Sequence, residues 1–421
     1  MNELFVLLEG RDVGLVQQKN GRLTFKYTDT WRSAPGAYPL SLSMPLAAAE
    51  HPHAAIDPFL WGLLPDNELV LSRWAKKFQV SPRNAFALIS HVGEDCAGAV
   101  QFVSHHRRDE LAGTAPVETE WLTDADVANR LRALQNDASA SRSPHDTGQF
   151  SLAGAQPKTA LLFDGQRWGV PSGRTPTTHI LKPPTSEFDG HAENEHLCLR
   201  LAKALGLPTA QSDVRQFEDV TTIVVERYDR TFVEKQFAYM RVHQEDFCQA
   251  LRVLPTMKYQ NDGGPGSKQI ADVLRNVSSD EDIGTFSDAL ILNFIIGGTD
   301  AHAKNYSLLI GGGGMVRLAP LYDIASIFAY ADIDPHKAKL AMKIGDEYRL
   351  QYIGLSEWRK LAESTRVDGD VLIDRLRAMA IELPDRLSDE IKTMRDSGLN
   401  HKVMDILTTV LPDRAARIAK L

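Results

Sequence analysis

The chain has 421 residues, of which 43% are hydrophobic and 24% charged, and its formal net charge is −8 at pH 7. A chain of this length is too long to fold around a single hydrophobic core, so two or three domains are predicted. No run approaches the roughly 18 consecutive apolar residues of a membrane span, and the negative charge disfavours direct binding to nucleic acid. Three scattered cysteines, Cys96, Cys198 and Cys248, have neither disulfide nor metal-ligand spacing, which is typical of a reducing, cytoplasmic compartment.

The first hundred residues predict a small mixed module. The acidic start MNELFVLLEGRDVG lacks a positively charged region before its short apolar stretch, so we interpret it as a first strand and not as a signal peptide. Residues 13–27 predict two strands joined at Asn20–Gly21, a strong hairpin signal. Helical periodicity is present at 59–71 and 83–89, and residues 96–103 predict a closing strand.

The remainder predicts a β-rich lobe followed by a helical lobe. Strands are predicted at residues 158–163, 179–182, 214–217 and 221–228, and helices at residues 124–134 and 192–205. After about residue 244 the pattern is helical to the end, except for one hairpin near residues 306–320. This order predicts an α+β, protein-kinase-like fold with two lobes and an extra N-terminal module. The predicted domains are the module at 1–105, a β-rich N-lobe at 106–243 and an all-helical C-lobe at 244–421.

Three polar residues in the helical half form the strongest functional signal. Asp300 and Asn305 stand five positions apart in TDAHAKN, and Asp323 follows the predicted hairpin. Phosphoryl transfer needs one carboxylate to orient the attacking hydroxyl and accept its proton, and an amide oxygen and a second carboxylate to hold Mg²⁺. Protein kinases use the same spacing. Structural capping explains any one of these residues, but it explains the three together around a hairpin far less well.

The β-rich half contains candidate ATP-binding segments. Residues 153–158 form a loop of small residues that enters a strand and can direct backbone amides at phosphate oxygens. Lys182 ends a strand and is a candidate partner of the α- and β-phosphates, oriented by Glu195 or alternatively by Glu193 on the following helix. The strand VVERYDR offers its backbone at residues 226–228 to adenine. Taken singly, each feature is more typical of a plain turn, a solvated lysine or an edge strand.

Several blocks of the sequence resemble the HipA family of bacterial toxin kinases, in the family's order. They include VGLVQQKNGRLTFKY, PLSLSMPL, LLPDN, HVGEDCAGAVQF, SLAGAQPKTALL, THILKP, NEHLCLRLAKALGL, VVERYDR, HQEDFCQALRVLPTMKYQ, GGTDAHAKNYSLL and LAPLYDIAS. Together they cover nearly the whole chain. Independent blocks in register make this resemblance specific, unlike any of the single motifs above.

The resemblance implies roles for individual residues. Asp300 is implied to be the catalytic aspartate, with His302 beside it in the same loop, and Asn305 and Asp323 are implied to bind Mg²⁺. The residues implied to bind ATP are Ala153, Gly154, Ala155, Gln156, Lys158, Lys182, Glu226, Arg227 and Tyr228. The position of Glu195 matches that of the residue that supports the ATP lysine.

One position just before the candidate phosphate loop and one position within it also bear on the resemblance. Ser151, just before the loop, resembles the family's autophosphorylated serine. The family pattern has an acidic residue where this chain has Pro157, so the chain departs from the pattern within the loop.

The resemblance also implies a biological setting. The chain is expected to be an ATP- and Mg²⁺-dependent serine/threonine protein kinase, the toxin of a type II toxin–antitoxin system that promotes growth arrest and persistence. The implied partners are a helix-turn-helix antitoxin of the HipB type, operator DNA bound only through that antitoxin, and a translation-linked substrate. An aminoacyl-tRNA synthetase, for example glutamate–tRNA ligase, is the typical substrate. We expect no membrane association.

Two other functions stay open at this point. The first is an ATP-binding co-repressor that acts mainly through its antitoxin, which predicts growth inhibition that survives Asp300→Asn. The second is a small-molecule phosphotransferase, which predicts an acidic acceptor pocket and a preference for its substrate over protein.

Overall fold

The computed structural model describes residues 2–112, 119–140, 151–172, 174–184, 188–236, 238–330, 333–334 and 336–421. The chain divides into two compact units. The first consists of Met1–Pro183, Gln216–Thr256 and Leu308–Val316, and the second of Pro184–Arg215, Met257–Ser307 and Arg317–Leu421. Both units are discontinuous in sequence, and the division into three domains at residues 105 and 243 stays a prediction.

A five-stranded antiparallel sheet begins the first unit. Its strands are β1 (Glu3–Leu8), β2 (Arg11–Lys19), β3 (Arg22–Tyr27), β4 (Glu50–Pro52) and β5 (Val100–Val103), in the order β4–β3–β2–β1–β5. The hairpin predicted at Asn20–Gly21 is confirmed, because both residues have positive φ (52° and 75°) and Lys19 pairs with Arg22. The predicted first strand is β1, and the predicted closing strand is shorter than expected, since it begins only at Val100.

Short helices connect these strands. They are α1 (Asp29–Arg32), α2 (His53–Gly62), α3 (Glu68–Phe78) and α4 (Ala85–Val92), followed by α5 (His105–Ala112). The single helix predicted at 59–71 is wrong. The chain leaves the helix after Gly62, and the Asn67 side chain starts α3 by accepting hydrogen bonds from the amides of Leu69 and Val70. A capping asparagine of this kind fixes a helix start.

The core of this region is completed by a residue from far along the chain. Phe25, Phe59, Phe86 and Phe102 are buried together in one cluster, and Ile310, 2% exposed, belongs to the same cluster. Ile310 lies in strand β15 (Ser307–Ile310), which follows the predicted catalytic loop. The N-terminal region therefore packs against the strand that leaves that loop.

A second sheet of the first unit forms the predicted β-rich lobe. The strands that follow the N-terminal region are β6 (Thr119–Leu122), β7 (Thr159–Phe163), β8 (Trp168–Pro171), β9 (His179–Lys182), β10 (Ser212–Phe217), β11 (Val220–Glu226), β12 (Arg230–Val233), β13 (Ala238–Arg241) and β14 (His243–Asp246). Within the unit, β11, β9, β7, β8 and β6 lie side by side in that order. Helix α6 (Asp124–Asn136), capped by Thr123, buries Val127 and Leu131 against Leu161 and Val224 of this sheet.

The second unit is mainly helical, as the fold prediction required. Its helices are α7 (His191–Ala204), α9 (Ser267–Val277), α10 (Asp280–Ile296), α11 (Leu355–Thr365), α12 (Gly369–Asp396) and α13 (Lys402–Ile418), and the short α8 (Phe247–Ala250) belongs to the first unit. No helix in the described part of the chain is both long and apolar enough to span a membrane.

The later strands include one predicted hairpin and one that was missed. The predicted hairpin is β15 with β16 (Val316–Leu318), closed by a hydrogen bond from the Gly311 amide to the Met315 carbonyl. A second hairpin, β17 (Lys339–Ile344) with β18 (Glu347–Arg349), means that the C-terminal lobe is not all-helical. Alternation in KLAMKI before Gly345 is a strand and turn signal, but the helical pattern on both sides outweighed it.

A buried cluster of charges holds the first unit together. Asp95 accepts hydrogen bonds from the guanidinium groups of Arg230 (2.9 Å) and Arg241 (3.1 Å), and Arg227 lies 3.6 Å from its second oxygen. Asp229 pairs with Arg227 at 2.9 Å and with Arg230 at 3.0 Å. Burial alone would raise the pKa of Asp95, but the three arginines outweigh it and hold that pKa well below its usual range. The cluster therefore stays ionised inside the unit.

Asp95→Asn is expected to lower the free energy of unfolding by about 3–5 kcal/mol, because it leaves three buried guanidinium groups with one carboxylate. Denaturant unfolding followed by circular dichroism measures the change. The control is Asp370→Asn, which removes an exposed pair in which Arg359 lies 3.2 Å away, and such pairs contribute little. Equal midpoints for the two variants would contradict a stabilising role for the cluster.

Candidate active site

The predicted catalytic loop starts at a firmly held helix end. Helix α10 ends at Gly297, whose φ of 70° is left-handed and whose amide donates to the Asn293 carbonyl. Arg414 of α13 donates to the carbonyls of Phe294 (2.8 Å) and Ile295 (3.0 Å). The last carbonyls of a helix have no partner within the helix, so Arg414 satisfies two of them and fixes where the loop begins.

The loop presents Asp300 and Asn305 in a defined arrangement. The Asp300 carbonyl accepts hydrogen bonds from the His302 amide and from Nδ2 of Asn305, both at 2.8 Å. Asp300 is exposed, whereas Asn305 is 7% exposed. Because the amide nitrogen of Asn305 is used in this bond, its oxygen Oδ1 is the atom left to act as a ligand. Mg²⁺ prefers such oxygen ligands, so the residue fits the predicted metal role.

A tyrosine from an earlier segment contacts the same loop. The Tyr259 hydroxyl donates to Oδ1 of Asp300 at 2.6 Å. The Tyr259 ring meets the His302 ring edge-on, with centroids 4.9 Å apart and planes at 80°. His302 is 4% exposed, and a catalytic role for its side chain stays a prediction.

Asp323 occupies an unusual backbone conformation. Its φ of 58° is left-handed, which is uncommon for residues other than glycine and recurs at functional sites. The flanking chain is anchored on both sides: the Leu321 amide donates to the Pro208 carbonyl at 2.8 Å, and Ser326 exchanges hydrogen bonds with the buried side chain of Asn194. A carboxylate held in this way fits a Mg²⁺ ligand, since Mg²⁺ needs only one or two protein carboxylates.

The predicted phosphate loop is closed on itself and attached to the N-terminal region. Nζ of Lys158 donates to the Ala153 carbonyl at 2.8 Å. Gly154 has a φ of 105° and forms a parallel bridge with Pro65, and its carbonyl accepts from the Asp66 amide at 3.2 Å. The loop backbone is therefore shaped by a left-handed glycine and by two residues of the N-terminal region.

Ser151 is fully buried just before this loop. Its hydroxyl donates to the Leu63 carbonyl at 2.7 Å, and its amide donates to the Asp95 carbonyl at 3.1 Å. In this conformation the hydroxyl is not accessible to a phosphoryl donor. The first turn of the phosphate loop is thus tied to the same aspartate that organises the charge cluster.

In the predicted adenine-binding segment, the middle residue is used in contacts within the protein. The Arg227 amide donates to the Thr178 carbonyl at 2.9 Å, and its guanidinium lies in the charge cluster. Arg227 is therefore committed to protein contacts through both groups. The exposed Glu226 and the half-buried Tyr228, whose hydroxyl donates to Gln244, flank it. Adenine recognition stays a prediction for the backbone of these two residues.

Lys182 and Glu195 are both nearly buried, at 6% and 1% exposure. Lys182 ends β9 in the first unit, and Glu195 lies on α7 in the second, with Nδ1 of His191 3.9 Å from its carboxylate. Glu193, the alternative partner, is 7% exposed on the same helix. The pairing of Lys182 with either glutamate stays a prediction.

Sequence reasoning missed three residues of these sites. Tyr259 and Asn194 lie in blocks that carried the family resemblance, LPTMKYQ and NEHLCLRLAKALGL, but they were given no role. Lys304 stands beside Asn305 and is only 6% exposed, a low value for a lysine. Spacing gives no signal for Tyr259, because it lies 41 positions from the aspartate that it contacts.

Comparison with known proteins places this architecture among the HipA-type kinase toxins. HipA of Shewanella oneidensis, solved in a complex with HipB and its operator DNA, has the same fold: the TM-score is 0.84, with 24% identity and 99% of both chains covered. The HipA N-terminal domain model matches residues 4–103, and the HipA-like C-terminal domain model matches residues 150–388. The chain belongs to the HipA family, which confirms the resemblance.

Relatives by sequence agree with this assignment. Y4mE of Sinorhizobium fredii is 39% identical over 371 residues, which cover 86% of each chain. The serine/threonine-protein kinase toxin HipA of Shewanella oneidensis is 28% identical over 379 residues, or 87% of this chain and 83% of that protein. The similarity therefore extends over most of the chain and is not confined to one motif.

Gly154→Ala is expected to weaken binding of MgATP about tenfold, a loss of about 1.4 kcal/mol of binding free energy. A Cβ at this position would overlap Nζ of Lys158, which closes the loop. The control is Gly165→Ala, where φ is 98° but nothing lies within 4 Å of the added Cβ. Both variants carry the same backbone strain of about 1 kcal/mol. Titration with a fluorescent ATP analogue measures affinity, and equal affinities would exclude the predicted loop.

Proposed function

We propose that this protein is an ATP- and Mg²⁺-dependent serine/threonine protein kinase that acts as the toxin of a type II toxin–antitoxin system. The observation that carries the proposal is the hydrogen bond from Asn305 to the Asp300 carbonyl. It makes one short loop present a carboxylate and an amide oxygen, the two groups that phosphoryl transfer requires there. The family and a relative that is named a kinase toxin support the same activity.

The proposed reaction transfers the γ-phosphoryl group of ATP to a protein hydroxyl. Asp300 orients the serine or threonine hydroxyl and accepts its proton as the new oxygen–phosphorus bond forms and the bond to the ADP oxygen breaks. Asn305 and Asp323 would hold Mg²⁺, which would supply positive charge against the phosphate oxygens. His302 supports Asp300 through its backbone amide.

In this proposal the first unit binds the nucleotide. The loop from Ala153 to Lys158 directs backbone amides at phosphate oxygens, and Lys182, supported by Glu195, contacts the α- and β-phosphates. The backbone at Glu226 and Tyr228 recognises adenine. The near-complete burial of Lys182 supports its role, because a lysine seldom leaves water without a charged partner.

The proposed partners follow from the relatives. Because the related Shewanella oneidensis HipA is solved with HipB and operator DNA, we infer a HipB-like helix-turn-helix antitoxin for this chain. A net charge of −8 favours contact with DNA through the antitoxin. The proposed substrate is a translation-linked cytoplasmic protein, with an aminoacyl-tRNA synthetase such as glutamate–tRNA ligase as the first candidate, and the proposed outcome is growth arrest and persistence.

Asp300→Asn is expected to lower phosphoryl transfer by at least a hundredfold, since removal of a general base costs about 10²–10⁴ in rate. Phosphosite mass spectrometry on wild type and variant, each incubated with Mg²⁺-ATP, measures it, and growth after induction of each protein measures toxicity. Near-normal transfer by the variant would contradict the assignment of Asp300. Growth inhibition that survives in an inactive variant would instead favour a co-repressor.

We propose further that Ser151 is the autophosphorylation site and an off switch. A phosphate adds about −1.5 to −2 charges, which the fully buried site beside the Leu63 carbonyl cannot accept. Modification therefore requires the segment to leave its place on the N-terminal region, and a modified segment cannot return to it.

Ser151→Asp is expected to weaken MgATP binding by at least tenfold and to make the segment after residue 150 sensitive to protease, because it places a carboxylate against a carbonyl. Calorimetric titration and limited proteolysis measure the two effects. Ser151→Ala is the matched control, since it loses only one hydrogen bond. If Ser151→Asp bound MgATP as tightly as Ser151→Ala, the switch would be refuted.

A further inference from the structure

We propose that Tyr259 is a positioning residue for phosphoryl transfer, acting through Asp300. This inference rests on the proposed kinase function. The Tyr259 hydroxyl donates to one carboxylate oxygen of Asp300, Oδ1, at 2.6 Å. The second oxygen, Oδ2, is then the one turned to the acceptor hydroxyl.

Asp300 needs such a partner because of where it lies. It is an exposed side chain on a loop. The hydrogen bonds that stabilise this loop are accepted by its backbone carbonyl and not by its carboxylate. A carboxylate on an exposed side chain turns freely between rotamers. A general base must lie within hydrogen-bond reach of the proton that it accepts, so a bond that selects one rotamer raises the fraction of productive encounters.

Tyr259 is itself held rigidly enough for this role. Its carbonyl accepts from the amides of Asp262 (3.0 Å) and Gly264 (2.9 Å), which folds the segment into a tight turn. A Cβ on Gly264 would overlap the Met257 carbonyl, so the turn requires glycine there. The next residue, Gln260, accepts from the Lys343 amide of β17 at 2.7 Å.

The turn is also joined to the catalytic loop. The Ala303 amide donates to the Lys258 carbonyl at 3.4 Å, and the His302 ring packs edge-on against the Tyr259 ring. The ring contact places the phenol, and the hydroxyl fixes the carboxylate. These two contributions can be separated by mutation, because phenylalanine keeps the ring and removes only the hydroxyl.

Tyr259→Phe is expected to lower kcat about tenfold, the effect of removing one hydrogen bond to a charged group. The affinity for ATP, the KM for the acceptor and the melting temperature are expected to stay unchanged, because the ring contact remains. Tyr352→Phe is the matched control: this tyrosine belongs to the same unit and is 56% exposed. Its activity is expected to equal that of the wild type.

The experiment uses the full chain with [γ-³²P]ATP and dephosphorylated casein as the acceptor, and a fluorescent ATP analogue for affinity. A fall in kcat confined to Tyr259→Phe supports the inference. Wild-type kcat in that variant overturns it, as does a fall in kcat accompanied by an equal loss of ATP affinity or of thermal stability. Absence of label transfer to any protein by the wild type would overturn the proposed function itself, and with it this inference.

Discussion

The carboxylate of Asp95 is the interaction on which the first unit depends. Its oxygens receive guanidinium groups from Arg230 and Arg241, with Arg227 close by, and its backbone carbonyl receives the Ser151 amide. The N-terminal region, the turn after β11 and the entry to the phosphate loop therefore meet at one residue. Charges buried in this way are tolerated only when each finds its partner. The candidate phosphate loop and the turn after β11 are consequently anchored at the same buried residue.

The second unit is organised by a different kind of contact. Its candidate catalytic loop is held by hydrogen bonds from side chains to backbone groups: Arg414 caps α10, Asn305 holds the Asp300 carbonyl, and Asn194 binds the chain after Asp323. Of these donors only Arg414 is charged. Burial lowers its pKa to about 10, so it still carries its charge at neutral pH. These bonds anchor the backbone on which Asp300 and Asp323 lie.

The sequence predicted correctly those elements whose structure is determined by residues close together in the chain. The hairpin at Asn20–Gly21, the strand that ends at Lys182 and the loop around Asp300 were predicted because local pattern determines each. It failed at the break between α2 and α3, where the Asn67 cap overrode helical periodicity. The burial of Ser151 could not be predicted from the sequence either, because Leu63, which accepts its hydrogen bond, is 88 positions away. Periodicity carries no information about contacts across such distances.

The place of Ile310 in the N-terminal core has a consequence for synthesis of the protein. The first hundred residues form one sheet with its helices, yet a buried side chain of their core comes from a strand more than two hundred positions later. On the ribosome, that side chain emerges long after the rest of the core. Until then the hydrophobic core of the N-terminal region is incomplete. Exposed apolar surface of this kind is bound by chaperones or leads to aggregation. The nascent chain therefore depends on chaperones, or on a low local concentration, until the strand that carries Ile310 has been synthesised.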